Sequence, residues 1–111
     1  MAQLLLAQGA AVNQAANDGR TPLIIASQNG HLNVVHLLLA QGAAVNQVEE
    51  DGWTSLIFAS SNGHLDVAQL LLAQGAAVNQ ATTKGSTPLY WALRQGHLGV
   101  VDVLRAHGAK E

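Results

Sequence analysis

The stretch LLLAQGAAVNQ occurs three times in this chain, at Leu4–Gln14, Leu37–Gln47 and Leu70–Gln80, and each copy begins 33 residues after the previous one. Two triplets keep the same spacing: Gly-His-Leu begins at Gly30, Gly63 and Gly96, and Thr-Pro-Leu or Thr-Ser-Leu begins at Thr21, Thr54 and Thr87. Self-similarity at a fixed period of about 20–50 residues is typical of stacked repeats. The sequence therefore predicts a solenoid, in which the residues that differ between repeats are the informative ones.

One unit of the repeat contains the signals for two short helices. Thr21 can cap the first helix with its hydroxyl, and Pro22 suits the first helical position because its missing N–H is not needed there. Gly30 suits the left-handed conformation that commonly ends a helix. We therefore expect a first helix at about Pro22–Asn29 and a second helix at about Leu32–Gln41.

The segment between helix pairs should form a finger. Ala43–Asp51 is too short and too rich in turn residues for another helix, so we expect it to project toward Gly52. Two short helices bury too little apolar surface to be stable alone, but stacked copies bury it between them. The sequence therefore predicts a single stacked domain.

This unit resembles the ankyrin repeat, a family with a period of about 33 residues and a Thr-Pro-Leu-His-x-Ala signature. The matching segments are Thr21–Ala26, Thr54–Ala59, Thr87–Ala92, Gly30–Asn46 and Gly63–Asn79. The resemblance implies an all-α repeat solenoid of helix-turn-helix units with projecting hairpin fingers. The single domain (1–111) would comprise a partial repeat (1–14) and repeats 1, 2 and 3 (15–47, 48–80 and 81–111). The resemblance also implies that a partner binds the concave face formed by the finger tips and first helices.

The sequence departs from the family pattern at the signature histidine, whose position is filled by Ile24, Ile57 and Tyr90. In the family this histidine links neighbouring fingers. We therefore expect some loss of finger rigidity, offset by apolar contact.

The N-terminal end is unusual because Met1–Ala7 matches only the second helix of a repeat. The apolar positions at Leu4–Leu6 would then lack their usual neighbour, whereas solenoids normally carry polar caps. Three explanations stay open: a fragment of a longer array, a truncated scaffold, or a protein that self-associates through this uncapped N-terminal helix.

The aromatic residues of the chain are Trp53, Phe58, Tyr90 and Trp91. Phe58 and Trp91 are 33 residues apart and so occupy one structural position, while Trp53 stands where the sister repeats have Arg and Ser. The resemblance places both positions toward the concave side, and stacked helices lie about 8–10 Å apart, so these rings can form one continuous patch. Because Trp and Tyr are enriched at interface hot spots, we predict that the four residues anchor a partner.

Packing is the alternative role for these rings. Phe58 and Trp91 can fill space between first helices, where an apolar residue is normal, and Tyr90 can satisfy a structural need at the histidine position. Trp53 has the stronger case for contact, because its position tolerates Arg20 and Ser86 in the other repeats.

Charge also differs between repeats. The middle finger is acidic, and Lys84 and Arg94 make the last repeat basic. Polar rims around apolar anchors are common at interfaces. We therefore add four charged residues to the predicted binding surface, against the alternative that they are solvated loop charges: Arg20, Glu50, Asp51 and Arg94.

Composition argues against several other classes of function. The net charge is −2 with no basic stripe, so we expect no nucleic-acid partner. The apolar runs fall short of the roughly 20 residues that span a bilayer, and Met1–Gln14 lacks the basic start of a signal peptide. We expect a soluble protein with no membrane partner, cytoplasmic if it is natural, in a compartment that the sequence does not identify.

The repeated histidines do not suggest a metal site. Equivalent atoms of His31, His64 and His97 should lie about 8–10 Å apart, too far to share a zinc ion bound at about 2.1 Å. We expect each to make a structural hydrogen bond. Ser60-Ser61 near His64 lacks a nucleophile-elbow motif, and the repeated glycines follow helices instead of opening them as a phosphate loop does. The sequence predicts no enzyme activity, metal or cofactor.

The sequence thus predicts a protein–protein interaction module whose partner it does not identify. The alternative is a structural or spacer segment of a longer repeat array with no binding of its own. The match between Leu37–Gln47 and Leu70–Gln80 favours either recent duplication or deliberate engineering, and both origins, including an engineered binder, stay open.

Overall fold

The computed structural model describes residues 12–110, and within them three helix pairs follow one another along the chain. The first helices of the pairs are α1 (Pro22–Gln28), α3 (Ser55–Ser61) and α5 (Pro88–Arg94), and the second helices are α2 (Leu32–Ala40), α4 (Leu65–Ala73) and α6 (Leu98–Ala106). No strand occurs among the described residues. The all-α repeat solenoid is confirmed, and α1 and α2 each end one residue before the predicted position. The features predicted for Met1–Ala7 and Leu4–Leu6 lie outside the described residues.

Each first helix begins at a threonine cap, as the sequence predicts. The Oγ1 atoms of Thr21, Thr54 and Thr87 accept hydrogen bonds from the backbone N–H three residues later, at 3.3, 3.1 and 3.2 Å. Proline occupies the first position of α1 and α5, where its fixed φ favours the helix. Local sequence therefore fixes where each pair begins.

The core is a continuous apolar layer between the helix pairs. First helices pack on first helices and second helices on second helices along the stack. The large side chains that are fully buried in this layer are Leu23, Val35, Leu38, Leu56, Val67, Leu71, Leu89, Val100 and Leu104. Burying one such side chain fully contributes about 1.5–3 kcal/mol, so each repeat depends on its neighbours for stability.

The fingers are short hairpins that bond to one another through the backbone. In the second finger, Glu49 N–H donates to the Trp53 carbonyl at 3.1 Å. Glu50 N–H donates back to the Asp18 carbonyl of the first finger at 3.4 Å, and Thr83 N–H donates to the Asp51 carbonyl at 2.9 Å. Backbone bonds therefore link neighbouring fingers where the family histidine is missing.

Two histidines link neighbouring repeats. His64 Nε2 donates to the Gln28 carbonyl at 3.0 Å, and His97 Nε2 donates to the Ser61 carbonyl at 3.1 Å. The predicted structural bond is thus confirmed at these two positions. His31 makes no corresponding bond within residues 12–110; the position that would supply its acceptor precedes the described residues, so the prediction is not tested there.

Asparagines link the repeats on the side of the second helices. The Oδ1 atoms of Asn13, Asn46 and Asn79 accept backbone N–H groups from the next repeat at 2.7, 2.8 and 2.9 Å. Asn13 precedes repeat 1 and accepts the backbone N–H of Ala44 in that repeat. These bonds hold the repeats in a common register, and that register positions the surface described next.

Candidate functional site

Side-chain hydrogen bonds hold the base of the second finger, where Trp53 lies. Glu49 Oε1 accepts the backbone N–H groups of Asp51 at 2.7 Å and Trp53 at 3.0 Å. In the third finger, Thr82 Oγ1 accepts the equivalent N–H groups of Lys84 and Ser86 at 3.3 and 3.2 Å. Glu49 is therefore a structural residue, although it belongs to the acidic run of the middle finger.

The four aromatic side chains form one contiguous group, here called the aromatic cluster (Trp53, Phe58, Tyr90 and Trp91). The ring centroid of Trp53 lies 4.7 Å from that of Phe58 and 5.1 Å from that of Trp91, and both ring pairs are tilted. Tyr90 meets Trp91 edge to face at 5.2 Å. Such geometries are favourable for aromatic pairs. Because Trp53 and Trp91 belong to different repeats, the cluster runs across the boundary between repeats 2 and 3.

The rings of the cluster are unequally exposed. Trp53, Phe58 and Trp91 are half-buried, and 46% of Tyr90 is exposed. The indole N–H of Trp91 is buried and has no hydrogen-bond partner within residues 12–110. A buried donor without a partner is uncommon in folded proteins.

A depression of about 310 Å³ lies beside the two tryptophans, between the second and third fingers. Its lining residues are Asp51, Trp53, Thr82, Thr83, Lys84, Ser86 and Trp91. Asp51 and Lys84 occupy equivalent exposed positions at the two finger tips and carry opposite charges. The depression therefore combines an apolar floor with a rim that carries one acid and one base.

Two family models match this chain. One, described as ankyrin repeats (3 copies), covers residues 42–111, and another, described as ankyrin repeats (many copies), covers residues 5–59. The chain belongs to the ankyrin repeat family. Ankyrin repeats are generally protein–protein interaction modules. No curated protein matches the chain.

The ankyrin stack places Arg20 away from the aromatic cluster. Its Nε donates to Asp18 Oδ2 at 2.7 Å, and its Nη1 donates to Gln28 Oε1 at 2.8 Å, so both contacts are within repeat 1. The backbone and side-chain hydrogen bonds from Arg20 hold the pKa of the half-buried Asp18 carboxyl below its usual value. Arg20 thus shares the position of Trp53 in the repeat but not its neighbours.

Glu50 and Arg94 belong neither to the aromatic cluster nor to the lining of the depression beside it. Glu50 is exposed on the second finger, and Arg94 is exposed in the last turn of α5. Tyr90 occupies a position at which Ile24 and Ile57 are completely buried between ankyrin repeats. Tyr90 therefore lies at the far edge of the cluster, on the side of repeat 3 that faces away from repeat 2.

Sequence reasoning missed most of the polar wall of the depression. Thr82, Thr83 and Ser86 line it, and Lys84 had been noted only as a basic residue of the last repeat. The available signal was the 33-residue step, which places Lys84 at the same finger tip as Asp51. Within residues 12–110, no group of His, Cys, Asp or Glu side chains could hold a metal ion, and no helix is long and apolar enough to cross a bilayer.

Proposed function

We propose that this ankyrin domain is a non-catalytic binding module that holds a partner protein on the concave surface of repeats 2 and 3. The observation that carries the proposal is the continuity of the aromatic cluster, whose Trp53 and Trp91 rings lie 5.1 Å apart across the repeat boundary. Trp and Tyr are among the residues that most often dominate binding energy at protein interfaces. An apolar side chain of the partner would enter the depression beside them.

The rigidity of the surface supports this role. Trp53 is fixed by ring contacts on two sides and by the Glu49 hydrogen bond to its backbone. A side chain that is already ordered loses little conformational entropy when a partner docks. The opposite charges of Asp51 and Lys84 would orient the partner, because rim charges contribute more to specificity and association rate than to affinity.

The residues that most resemble catalytic groups are unsuited to catalysis. Ser60 is completely buried, so no substrate can reach its hydroxyl. His64 and His97 use Nε2 to bond carbonyl groups of the preceding repeat. These arrangements favour a binding role over an enzymatic one.

A structural role is the second candidate, and one observation favours it. Trp53 packs on Phe58 of its own repeat and on Trp91 of the next, so the cluster also stabilises the junction between repeats 2 and 3. On this account the domain is a spacer in a longer array. Recent duplication and engineering both explain the identical segments, and an engineered binder would use the same concave surface.

Affinity and melting measurements on matched variants separate the two candidates. The immobilised chain captures partners from a lysate, mass spectrometry identifies them, and calorimetry then measures their affinity. We expect Trp53→Ser, which introduces the residue that repeat 3 has at this position, to weaken binding at least tenfold, about 1.4 kcal/mol. Asp51→Asn and Lys84→Gln alter exposed charges without changing packing, and we expect weaker binding at unchanged melting temperature.

The control is Val34→Ser, an exposed change on α2 that should leave affinity unchanged. If Trp53→Ser lowers the melting temperature while every captured partner keeps its affinity, the cluster is a packing feature and the spacer role is correct.

A further inference from the structure

A second apolar surface lies at the end of the described stack. The trailing face is defined here as the side of repeat 3 that faces away from repeat 2. On it, the exposed fractions of Tyr90, Leu93 and Leu98 are 46%, 41% and 68%. One repeat earlier, Ile57 and Ser60 at the first two positions are completely buried, and Leu65 at the third is half-buried. The trailing face is therefore the same face that the following repeat covers in repeats 1 and 2.

A groove of about 460 Å³ runs along this face beside α5. It is lined by Gly85, Thr87, Leu89, Tyr90, Leu93 and Lys110. A Cβ atom built at Gly85 meets nothing within 4 Å, whereas at the equivalent Gly52 it would lie 2.9 Å from the backbone nitrogen of Thr83 in the next finger. Within the described residues, the space that a following finger and first helix would fill is thus open.

The trailing face differs from the inner faces in a way that disfavours a standard ankyrin repeat as its occupant. Ser27 and Ser60 are completely buried at the position that Leu93 occupies, and Ile24 is completely buried at the position of Tyr90. A further repeat in the same register would have to bury a leucine and a tyrosine. The interfaces between repeats 1 and 2 and between repeats 2 and 3 hold a serine and an isoleucine at these positions. Interiors packed to native density do not accept such added volume without strain.

Charge also distinguishes this end of the molecule. Four of the five basic residues lie in repeat 3, at Lys84, Arg94, Arg105 and Lys110, while its acidic residues are Asp102 and Glu111. Lys110 lines the groove, and Lys84 and Arg94 are the chain neighbours of Gly85 and Leu93, which also line it. Two copies meeting through this face would bring like charges together. An acidic partner, in contrast, is complementary to it.

We propose that the trailing face binds an amphipathic α-helix of another protein, with an apolar stripe flanked by acidic residues. The inner interfaces indicate a helix, because α3 packs on α1 and α5 packs on α3 in the place that is open beside α5. Apolar residues at i, i+3, i+4 and i+7 of the docked helix would contact Tyr90, Leu93 and Leu98. Helices commonly bind apolar grooves through such a stripe. The acidic flanks would face Lys110 and the neighbouring basic residues.

Two synthetic peptides of about 18 residues test the proposal. Both carry leucines at the stripe positions; one carries glutamates on its flanks, and the other carries lysines at the same positions. We expect the glutamate peptide to bind the full chain at least tenfold more tightly by calorimetry, with a preference that shrinks as salt is raised. Leu93→Ser introduces the residue that the other two repeats bury at this position, and we expect it to weaken binding of the glutamate peptide at least fivefold.

One variant acts as a control. Val34→Ser is an exposed change on α2, away from the groove, and should not change peptide binding. Equal affinity for the two peptides, or unaltered binding by Leu93→Ser with a native circular dichroism spectrum, would overturn the proposal. Concentration-dependent self-association that Leu98→Glu abolishes would also overturn it, since a second copy would then be the occupant.

Discussion

Ser55 is the residue at which repeat 2 departs from the Thr-Pro-Leu triplet of the other repeats. It is 1% exposed, and its Oγ has no hydrogen-bond partner within residues 12–110. Thr54, the residue before it, has φ −96° and ψ 168°, and the other two capping threonines have ψ 166° and 168°. These extended values suit a residue that precedes proline. We expect Ser55→Pro to raise the free energy of unfolding by about 0.5–1 kcal/mol, because proline restricts the unfolded chain and an unpaired hydroxyl is removed.

The melting temperature, followed by circular dichroism, should rise by roughly 2–6 °C. Ser55→Ala is the control, because it removes the hydroxyl without fixing φ, and it should give a smaller gain. A lower melting temperature for Ser55→Pro than for the unaltered chain would show that the first position of α3 does not accept the geometry of α1 and α5.

Gly63 and Gly96 form a natural pair at the scale of the helix elements. Each lies just after the end of a first helix and has φ +75°. This is a left-handed value that any other residue adopts at a cost of roughly 1–2 kcal/mol. A Cβ at Gly63 would lie 2.6 Å from the His97 ring, whereas a Cβ at Gly96 would meet nothing within 4 Å. We therefore expect Gly63→Ala to be more destabilising than Gly96→Ala, by about 1 kcal/mol, because it also displaces the histidine that bonds repeat 2.

Urea unfolding measures the difference as a lower midpoint for Gly63→Ala at an unchanged slope. His97→Ala removes the ring itself, and in that background the two alanine substitutions should cost the same. If their costs are already equal in the unaltered chain, the histidine contact contributes nothing to the junction.

Sequence predicted the elements well because their signals are local. The threonine caps, the prolines and the terminal glycines lie within each helix or next to it, so α1 and α2 were placed to within one residue. The hydrogen bonds of Glu49 and Thr82 were not predicted. Each of these side chains accepts two backbone N–H groups of its own finger, but one is a glutamate and the other a threonine. The repeat pattern shows only that the position varies.

At the scale of the whole molecule, the 33-residue step predicted which residues are stacked but not which way their side chains turn. Arg20 and Trp53 occupy one position, yet Arg20 bonds to residues of its own repeat while Trp53 meets Trp91 in the next. Tyr90 was assigned to the concave surface, although its position is buried in the earlier repeats and opens only where no described repeat follows. The direction of Arg20 depends on its ion pair, and the exposure of Tyr90 depends on which repeat stands next to it. The 33-residue step contains neither kind of information.

The same asymmetry should make the two junctions of the stack unequal. Ring pairs contribute about 0.5–1.5 kcal/mol beyond their burial, and the junction between repeats 2 and 3 has the Trp53–Trp91 pair, which the junction between repeats 1 and 2 lacks. Because the stability of a solenoid is close to a sum of repeat and nearest-neighbour terms, repeat 1 should open at lower free energy than repeat 2. Native-state hydrogen exchange should therefore show faster exchange for the amides of α1 and α2 than for those of α3 and α4. Trp53→Ser should narrow this difference in exchange rate by accelerating exchange in repeat 2, while Val34→Ser should leave the difference unchanged. Slower exchange in repeat 1 than in repeat 2, or a difference that Trp53→Ser does not alter, would contradict a coupling role for the cluster.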